Sequence, residues 1–370
     1  MKIAIFSDPH LGYARFEEDS YIQAEKVIES ASEKADVILC AGDIFDTKLP
    51  KLETLKHAIE IFRKAKIPVF AIHGNHERRS KDMVNPAQLL AASTGISLLH
   101  GEDAIFEKNG ERIQIFGLGS VPEEYAAIAL KKAIERYKPE KDSFTILMLH
   151  QSIKELMPGG EEELSLEYLE TLPFDLIVNG HIHKTIVKLG NRFLIPGSTV
   201  ITQLKKDETE SKGYFLYDSK SKNVEFVKIE SRKFFYEELF FKDAGEMELR
   251  ERVRERVDKI KKEQPNAIIA IKLEGTLKEG LVNSDIKIDV YDNVYVDNRL
   301  NVESLGNRLE KIRNLRQESI SVSELALKEL QKKTAGKISL FDSAELFEKL
   351  VMGPEEAMTY LESRNKKDNK

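Results

Sequence analysis

A single cysteine, Cys40, among 370 residues leaves the chain no internal disulfide and no thiolate metal knot. Any metal it binds must be held by histidine, aspartate, glutamate or asparagine. No apolar run approaches the roughly 20 residues that a bilayer crossing requires. The N-terminus, Met1-Lys2-Ile3-Ala4-Ile5-Phe6, turns polar too soon for a secretory signal, so the expectation is an intracellular protein. An excess of positive charge is missing too: 57 Lys and Arg face 63 Asp and Glu, a formal charge of −6. That excludes a globally basic coat for nucleic acid and leaves local patches. No internal repeat or low-complexity block occurs. What the chain does have is 41% hydrophobic residues, at a length that suggests two or three domains. It also has eight histidines: His10, His57, His73, His76, His100, His150, His181 and His183.

The first two-thirds repeat one pattern, a short apolar run, a polar residue at its end, then a helical stretch. The runs Ile3–Phe6, Val37–Ala41, Val69–Ile72, Phe144–Leu149 and Leu176–Val178 are short, often β-branched and continuously apolar, as in strands buried on both faces. Ile22, Val27, Ile28 and Ala31, then Leu55, Ile59 and Phe62, recur at helical spacing between them. This alternation predicts an α/β domain with right-handed crossovers. Asn109-Gly110 and Gly190-Asn191 each separate two strand-like runs and predict hairpins, and Tyr214–Asp218 with Val224–Ile229 predicts a further pair. A second unit starts near Phe234, with a strand, a helix carrying Leu249, Val253, Val257 and Ile260, and strands at Ala267–Leu273, Ile286–Val290 and Val294–Val296. From about Leu300 the chain reads as helical and polar. Two apolar stripes stand out there: Val322, Leu325, Leu327 and Leu330, then Leu346, Phe347, Leu350 and Val351. The expected division is 1–231, 232–299, a linker over 300–319, a helical segment over 320–364 and a disordered tail over 365–370.

Five polar clusters follow directly on predicted strands: Asp8-Pro9-His10, Gly42-Asp43, Gly74-Asn75-His76-Glu77, His150 and Gly180-His181-Ile182-His183. Ligands of open α/β sheets bind outside the carboxyl ends of strands, so the five can converge on one crevice. Taken singly, each has an ordinary reading: a helix N-cap for Asp8 or Asp43, a turn for Asn75, a hydrogen-bonded core position for a histidine. Their conjunction is what points to a site. Asp8, His10, Asp43, Asn75, His150, His181 and His183 supply seven N/O ligands and no sulfur. Shared between two ions through one bridging carboxylate, they give about four ligands per ion and leave room for water. Two ions about 3.5–4 Å apart suit an in-line displacement at phosphorus. Such ligation fits Mn(II), Fe or Zn and does not choose among them. His76 is spare. It reads as a group that protonates the leaving oxygen or stabilises charge on the phosphoryl group, the alternative being a hydrogen-bonder that orients a ligand.

In order and type these motifs resemble the calcineurin-like metallophosphoesterases over residues 1–231. Asp8-Pro9-His10-Leu11-Gly12, Gly42-Asp43-Ile44-Phe45-Asp46, His150-Gln151-Ser152-Ile153, Asn179-Gly180-His181-Ile182-His183 and Ile195-Pro196-Gly197-Ser198 resemble, more narrowly, the meiotic recombination eleven (SbcD-type) DNA-repair nucleases. The resemblance implies a four-layer α/β sandwich of two mixed sheets flanked by helices. A small α+β capping domain and a helical partner-binding segment would follow it. It implies two Mn(2+) per subunit: Asp8, His10 and His183 on one ion, Asn75, His150 and His181 on the other, Asp43 bridging, and His76 catalytic. The implied activity is exonucleolytic on duplex DNA ends and endonucleolytic on single strands. Implied partners are DNA ends, a coiled-coil ATPase of the Rad-fifty/SbcC type docked on Leu346, Phe347, Leu350 and Val351, and a second copy of the chain. Dimerisation would run through helices near Leu52–Ile61 and Pro86–Ala92 and give a heterotetramer with the ATPase. The size resembles archaeal or bacterial members, cytoplasmic or nucleoid-associated, with no membrane.

One departure stands out: several relatives carry histidine where this chain has Asp46, which puts the strength of exonuclease action in question. Arg78, Arg79, Lys81 and Lys184 flank the motifs as candidate phosphate contacts. Two other readings stay open, a small-molecule phosphodiesterase or phosphatase of the same superfamily, and a DNA-end tether with secondary nuclease activity.

Overall fold

The computed structural model describes residues 1–80, 82–157, 164–278, 280–283, 286–289, 291–301 and 342–365. Its strands are β1 (Lys2–Phe6), β2 (Val37–Cys40), β3 (Val69–Ala71), β4 (Ser97–Leu98), β5 (Glu102–Lys108), β6 (Glu111–Leu118), β7 (Phe144–Leu149), β8 (Leu176–Asn179), β9 (Ile186–Lys188), β10 (Phe193–Ile195), β11 (Gly213–Asp218), β12 (Val224–Lys228), β13 (Phe234–Ala244), β14 (Ile268–Leu277) and β15 (Val294–Asn301). The helices are α1 (Glu17–Lys34), α2 (Leu52–Phe62), α3 (Pro86–Thr94), α4 (Ala126–Ile134), α5 (Leu166–Glu170), α6 (Glu246–Glu263), α7 (Ser343–Met352) and α8 (Pro354–Asn365).

Two six-stranded sheets run in the orders β12-β11-β1-β2-β3-β4 and β5-β6-β7-β8-β10-β9. Both are mixed. The strands β1, β2, β3 and β4 are parallel, as are β6, β7 and β8, while the hairpins β11-β12, β5-β6 and β9-β10 close three of the four edges. Alternate residues of each buried strand face opposite layers. Ile3, Ile5, Val37 and Leu39 from the first sheet meet Ile113, Ile115, Ile146 and Met148 from the second in an inter-sheet core. The other face of the first sheet, with Phe6, Ile38 and Cys40, packs on α1, α2 and α3 through Ala24, Val27, Ile28, Ala58, Ile61 and Leu90. The outer face of the second sheet, with Phe116, Leu147, Leu149 and Ile177, is covered by α4 and α5 through Leu130 and Leu169. Helix, sheet, sheet and helix layers result, in agreement with the four-layer expectation.

The Asn109-Gly110 hairpin forms as its sequence predicts. Lys108 pairs with Glu111, and the two turn residues sit at φ 52° and 77°, the left-handed conformation that a two-residue turn demands. The second hairpin uses a wider turn, with Leu189, Gly190 and Asn191 all left-handed. A third sheet, β13-β14-β15, follows. Helix α6 buries Leu249, Val253, Val257 and Ile260, as their spacing predicts.

Two sequence expectations fail here. Residues 286–289 form no strand, and Val290 lies outside the described residues. The helical stretch expected from Leu300 gives way to β15, which extends through Asn301. The stripe Val322, Leu325, Leu327 and Leu330 and the tail 366–370 lie outside the described residues.

The chain forms two compact units. One comprises Met1–Glu237, Glu255–Lys272 and Val290–Asp297; the other takes Glu238–Arg254, Leu273–Asp289 and the chain from Asn298 on. Within the second, α7 and α8 lie against each other, and Tyr360 donates its hydroxyl to Glu345 Oε2 at 2.7 Å. Among the described residues no helix is long and apolar enough to cross a membrane.

Candidate metal centre

The strands β1, β2 and β3 are parallel neighbours in one sheet and β7 and β8 in the other, and the loops leaving their carboxyl ends touch across the two sheets, as His150 Nδ1 on the Ala41 carbonyl and His181 N–H on Asp8 show. The five polar clusters leave from those ends. Backbone bonds lace the loops together: Asp8 N–H donates to Gly42 O at 3.0 Å, His10 N–H to Asp43 O at 3.1 Å and Gly180 N–H to Leu149 O at 2.9 Å. The buried Glu77 carboxylate accepts from the N–H of Phe45 and of Gly74, each at 2.7 Å, and so joins the loops after β2 and β3. Glycine is required where these loops touch. A Cβ on Gly74 would lie 1.9 Å from Asp43 Oδ1, and one on Gly180 would lie 2.1 Å from the Ala41 carbonyl oxygen.

The seven candidate ligands come together. His10 Nε2 and His183 Nε2 are 3.1 Å apart, and both lie within 4 Å of Asp8 Oδ1, at 3.9 and 3.7 Å. Asn75 Oδ1 is 3.1 Å from His150 Nε2 and 2.9 Å from His181 Nδ1. Asp43 Oδ2 stands between the two groups, 4.0 Å from His10 Nε2 and 3.2 Å from His150 Nε2.

In His150, His181 and His183 the nitrogen that faces away from the cluster is occupied, whereas His10 Nδ1 is buried without a hydrogen bond and only lies near the Asp46 carboxylate. His150 Nδ1 donates to Ala41 O at 2.7 Å, and His183 Nδ1 lies 2.5 Å from Thr202 Oγ1. His181 Nε2 lies 3.2 Å from Ser152 Oγ, and His10 Nδ1 is 3.3 Å from the Asp46 carboxylate. Tying one ring nitrogen in this way turns the other, with its lone pair, toward a shared point, the usual construction around a metal-binding histidine. The donor set of imidazole, carboxylate and one amide oxygen, with lone pairs converging and no thiolate, fits divalent cations that accept N/O ligands. The triads Asp8/His10/His183 and Asp43/His150/His181 each bring three such atoms within 4.8 Å of one another.

Proton positions without a cation follow the same logic. Burial disfavours a charge on His150, but Asp43 and Asp8 outweigh it and hold the imidazolium up at about 9. Asp43 is driven well below the usual carboxylate range: burial opposes its ionisation and the His150 charge overcomes that. Burial and the neighbouring His150 charge press His181 down to about 4; burial and His10 press His183 down to about 2. Glu77 is pushed up to about 8 by burial and by Asp43. In the metal-free cluster, protons on histidine thus balance the buried carboxylates, and a cation binding there displaces them.

His76 sits beside the ligands. Its N–H donates to Asp43 Oδ1 at 2.9 Å, its Nδ1 to the Asp46 carbonyl oxygen at 2.7 Å, and its ring meets His10 edge-on with centroids 4.8 Å apart. Its side chain is 39% exposed, against 1% or less for Asp8, His10 and His150. Asp46 therefore holds His76 mainly through its backbone, and its carboxylate serves His10.

The basic candidates are more scattered. Arg78 reaches Ser120 Oγ at 3.4 Å and, with Lys48, Leu49 and Arg79, lines a cavity of about 540 Å³. Arg79 bonds Val84 O at 2.9 Å, Lys184 is exposed, and Lys81 lies outside the described residues. Of the C-terminal stripe, Leu346 is buried, Phe347 half-buried and Leu350 exposed, while the side chain of Val351 lies outside the described residues. Ser152 and Thr202, which meet the outward nitrogens of His181 and His183, and Glu208, which bonds Thr202 Oγ1 at 2.8 Å, are not singled out by the sequence. Ser152 lies in a quoted motif, two residues from His150, but nothing local marks Thr202 or Glu208.

The family model for calcineurin-like phosphoesterases matches residues 1–185, and the chain belongs to that family. This makes the clustered residues those of a metal-dependent phosphoesterase domain. Within the family the chain belongs with the DNA double-strand break repair proteins called Mre11. It is 31% identical over 340 residues to Mre11 of Methanocaldococcus jannaschii, covering 82% of this chain and 88% of that one. It is 30% identical over 335 residues to MRE11 of Encephalitozoon cuniculi, covering 78% of this chain and 56% of the relative. It is 30% identical over 276 residues to Mre11 of Archaeoglobus fulgidus, covering 64% and 60%. The chain thus spans little more than half the length of two of these relatives.

Proposed function

We propose that the chain is a manganese-dependent DNA nuclease that hydrolyses phosphodiester bonds at duplex ends and in single strands. It would act as the nuclease subunit of a complex with a coiled-coil ATPase of the Rad-fifty/SbcC type. The observation that carries this reading is the convergence of seven N/O ligands from five strand ends, with the outward nitrogens of His150, His181 and His183 each tied by a hydrogen bond. On this reading Asp8, His10 and His183 hold one ion, Asn75, His150 and His181 the second, and Asp43 bridges. When bound, two divalent ions supply positive charge at the attacking and leaving oxygens of an in-line displacement at phosphorus.

The chain's own residues do the rest. The Asp46 carbonyl fixes the Nδ1–H of His76, so Nε2 is the nitrogen that exchanges a proton with the leaving oxygen. Arg78, Arg79 and Lys184 provide sequence-independent contacts to phosphates on either side of the cut. We assign residues 1–231 to the nuclease domain, 232–299 to a cap over the DNA, 300–319 to a linker and 320–364 to ATPase docking.

The test is cleavage of an end-labelled duplex with Mn(2+), run beside a small phosphodiester and repeated with His76→Ser. Expected are cleavage of DNA by the wild type, a loss of at least about 100-fold in the variant and unchanged metal content. Hydrolysis of the small ester alone favours the small-molecule reading. Unimpaired cleavage by His76→Ser removes His76 from the mechanism, and end bridging without cleavage by the wild type favours the tether.

A further inference from the structure

Outside the ligand set, the first compact unit holds a buried ion pair that the proposed chemistry does not use. Glu208 and Lys212, four residues apart, are 7% and 8% exposed and bonded to each other. An ion pair removed from water is costly unless its remaining hydrogen-bonding capacity is satisfied, and here each partner has another bond. Glu208 Oε1 accepts from Thr202 Oγ1 at 2.8 Å and from the N–H groups of Thr202 and Gln203 at 3.2 and 3.1 Å. Lys212 donates to Ser198 Oγ at 2.9 Å.

Both branches end on His183. Ser198 N–H donates to the His183 carbonyl at 3.1 Å. Preceding Ser198 is Gly197, at φ 77°, where a Cβ would lie 2.7 Å from that same carbonyl oxygen. On the other branch Thr202 Oγ1 lies 2.5 Å from His183 Nδ1. The direction of these bonds is fixed by valence. An ionised carboxylate only accepts, so the Thr202 hydroxyl spends its one proton on Glu208. Its oxygen can then only accept from His183, which places the ring proton on Nδ1 and leaves the lone pair on Nε2. That nitrogen is the one 3.1 Å from His10 Nε2 and 3.7 Å from Asp8 Oδ1.

We propose that Glu208 and Lys212 are positioning residues that act through Thr202 to hold His183 in the tautomer and orientation that offer Nε2 to a metal ion. Lys212 holds Glu208 in place through their ion pair, Glu208 orients the Thr202 hydroxyl, and the hydroxyl selects the imidazole tautomer. This proposal rests on His183 being a ligand, as the preceding reading has it.

The test is calorimetric titration of the metal-free full-length chain with Mn(2+), with low-temperature electron paramagnetic resonance as a second readout of paired against single ions. Glu208→Gln can turn an amide N–H toward Thr202 and free the tautomer. It is expected to weaken one of the two ions roughly 10- to 100-fold and to replace the spin-coupled signal with that of isolated Mn(2+). Thr202→Val does the same, Thr202→Ser restores both readouts, and Glu208→Gln adds little further loss on top of Thr202→Val. His183→Ala separates the two readings. Two ions bound with wild-type affinity by His183→Ala defeat the ligand assignment. Loss of an ion by His183→Ala with wild-type affinity in Thr202→Val defeats the relay, as do losses in Thr202→Val and Glu208→Gln that multiply independently. If Glu208→Gln fails to fold, the Thr202→Val and Thr202→Ser pair decides alone.

Discussion

Asp8, His10, Asp43 and His181 all hold left-handed backbone, at φ 53°, 44°, 48° and 74°. A residue with a Cβ reaches that region at a cost of about 1 kcal/mol or more, and such positions persist where surrounding bonds over-determine them. Here the inter-loop bonds of Asp8, His10 and Gly180 and the two-pronged Glu77 do so, spending stability to aim side chains at a common point. Asp8 adds an electrostatic cost. Burial, with a further push from Asp43 and partial relief from His150, raises its carboxyl above its ordinary value. Between the unfolded and folded pKa values the unfolded chain has released a proton that the folded chain keeps, so this contribution falls as pH rises through that window. Asp8→Asn removes the penalty. Its melting temperature in chelator is expected to equal or exceed that of the wild type at pH 7, while the rise on adding Mn(2+) shrinks. A large loss in chelator alone would make Asp8 a structural residue. His73, outside the ligand set, works the other way. Burial and the adjacent His100 hold it down to about 4 against an ordinary 6.5. It stays neutral in the fold while the unfolded chain takes up a proton, so stability is full above pH 6.5 and declines toward pH 4. His73→Gln is expected to flatten the change in unfolding free energy from urea titrations between pH 7 and pH 5 by on the order of 1–3 kcal/mol; an unchanged pH dependence would rule His73 out. The candidate ligand positions were legible in the sequence because each cluster that carries them follows an apolar run. Thr202 and Glu208 were not, because they meet His183 only through a contact spanning 19 residues or more.

At the scale of elements, legibility tracked how local the determining physics is. The parallel strands were readable because burial on both faces demands an unbroken apolar run, and β1, β2 and β7 have one. The Asn109-Gly110 turn was readable because few other residue pairs adopt its backbone. The region 286–290 misled: Ile286, Ile288 and Val290 alternate with polar residues as in a strand, yet 286–289 join no ladder, while the more polar Val294–Asn301 does. Pairing partners, not propensity, decide such short segments. Helices α2 and α3 raise a different question. They pack against each other and the first sheet, with Arg63 bonding Ser93 O at 3.0 Å, yet Leu52 and Leu89 are 80% and 48% exposed and the nearby Leu49 is 74% exposed. Apolar side chains left uncovered on adjacent elements support the homodimer that the family resemblance implies. Multi-angle light scattering at micromolar concentration is expected to give twice the chain mass, and Leu52→Glu with Leu89→Glu to give the single-chain mass. A monomer before substitution would overturn the dimer.

For the whole molecule, the net charge of −6 sets a problem that the metal centre resolves. On the proposed reading, a DNA phosphate approaching the metal-free crevice meets Asp8, Asp43 and Asp46 within one cluster, with a proton held on His150 between Asp8 and Asp43. That proton leaves when a cation binds, and the two divalent ions of the proposed reading would bring four positive charges into the crevice of a chain whose net charge is −6. The basic candidates beside the crevice add less, since Arg78 and Arg79 are partly engaged with Ser120 and Val84. DNA affinity should therefore depend on the metal before any bond is cut. The cleavage-deficient His76→Ser chain, which keeps the candidate ligands, allows binding to be measured alone. Fluorescence anisotropy with a labelled duplex at about 0.1 M salt, where the Debye length is about 10 Å, is expected to show at least a tenfold tighter complex with Mn(2+) than with chelator. The log–log salt slope should be shallow, because a few phosphates, not a long tract, are neutralised. Equal affinity in both conditions would mean that DNA is held by surfaces away from the crevice, and the chain would then be a binder whose metal centre acts only on strands delivered to it by other contacts.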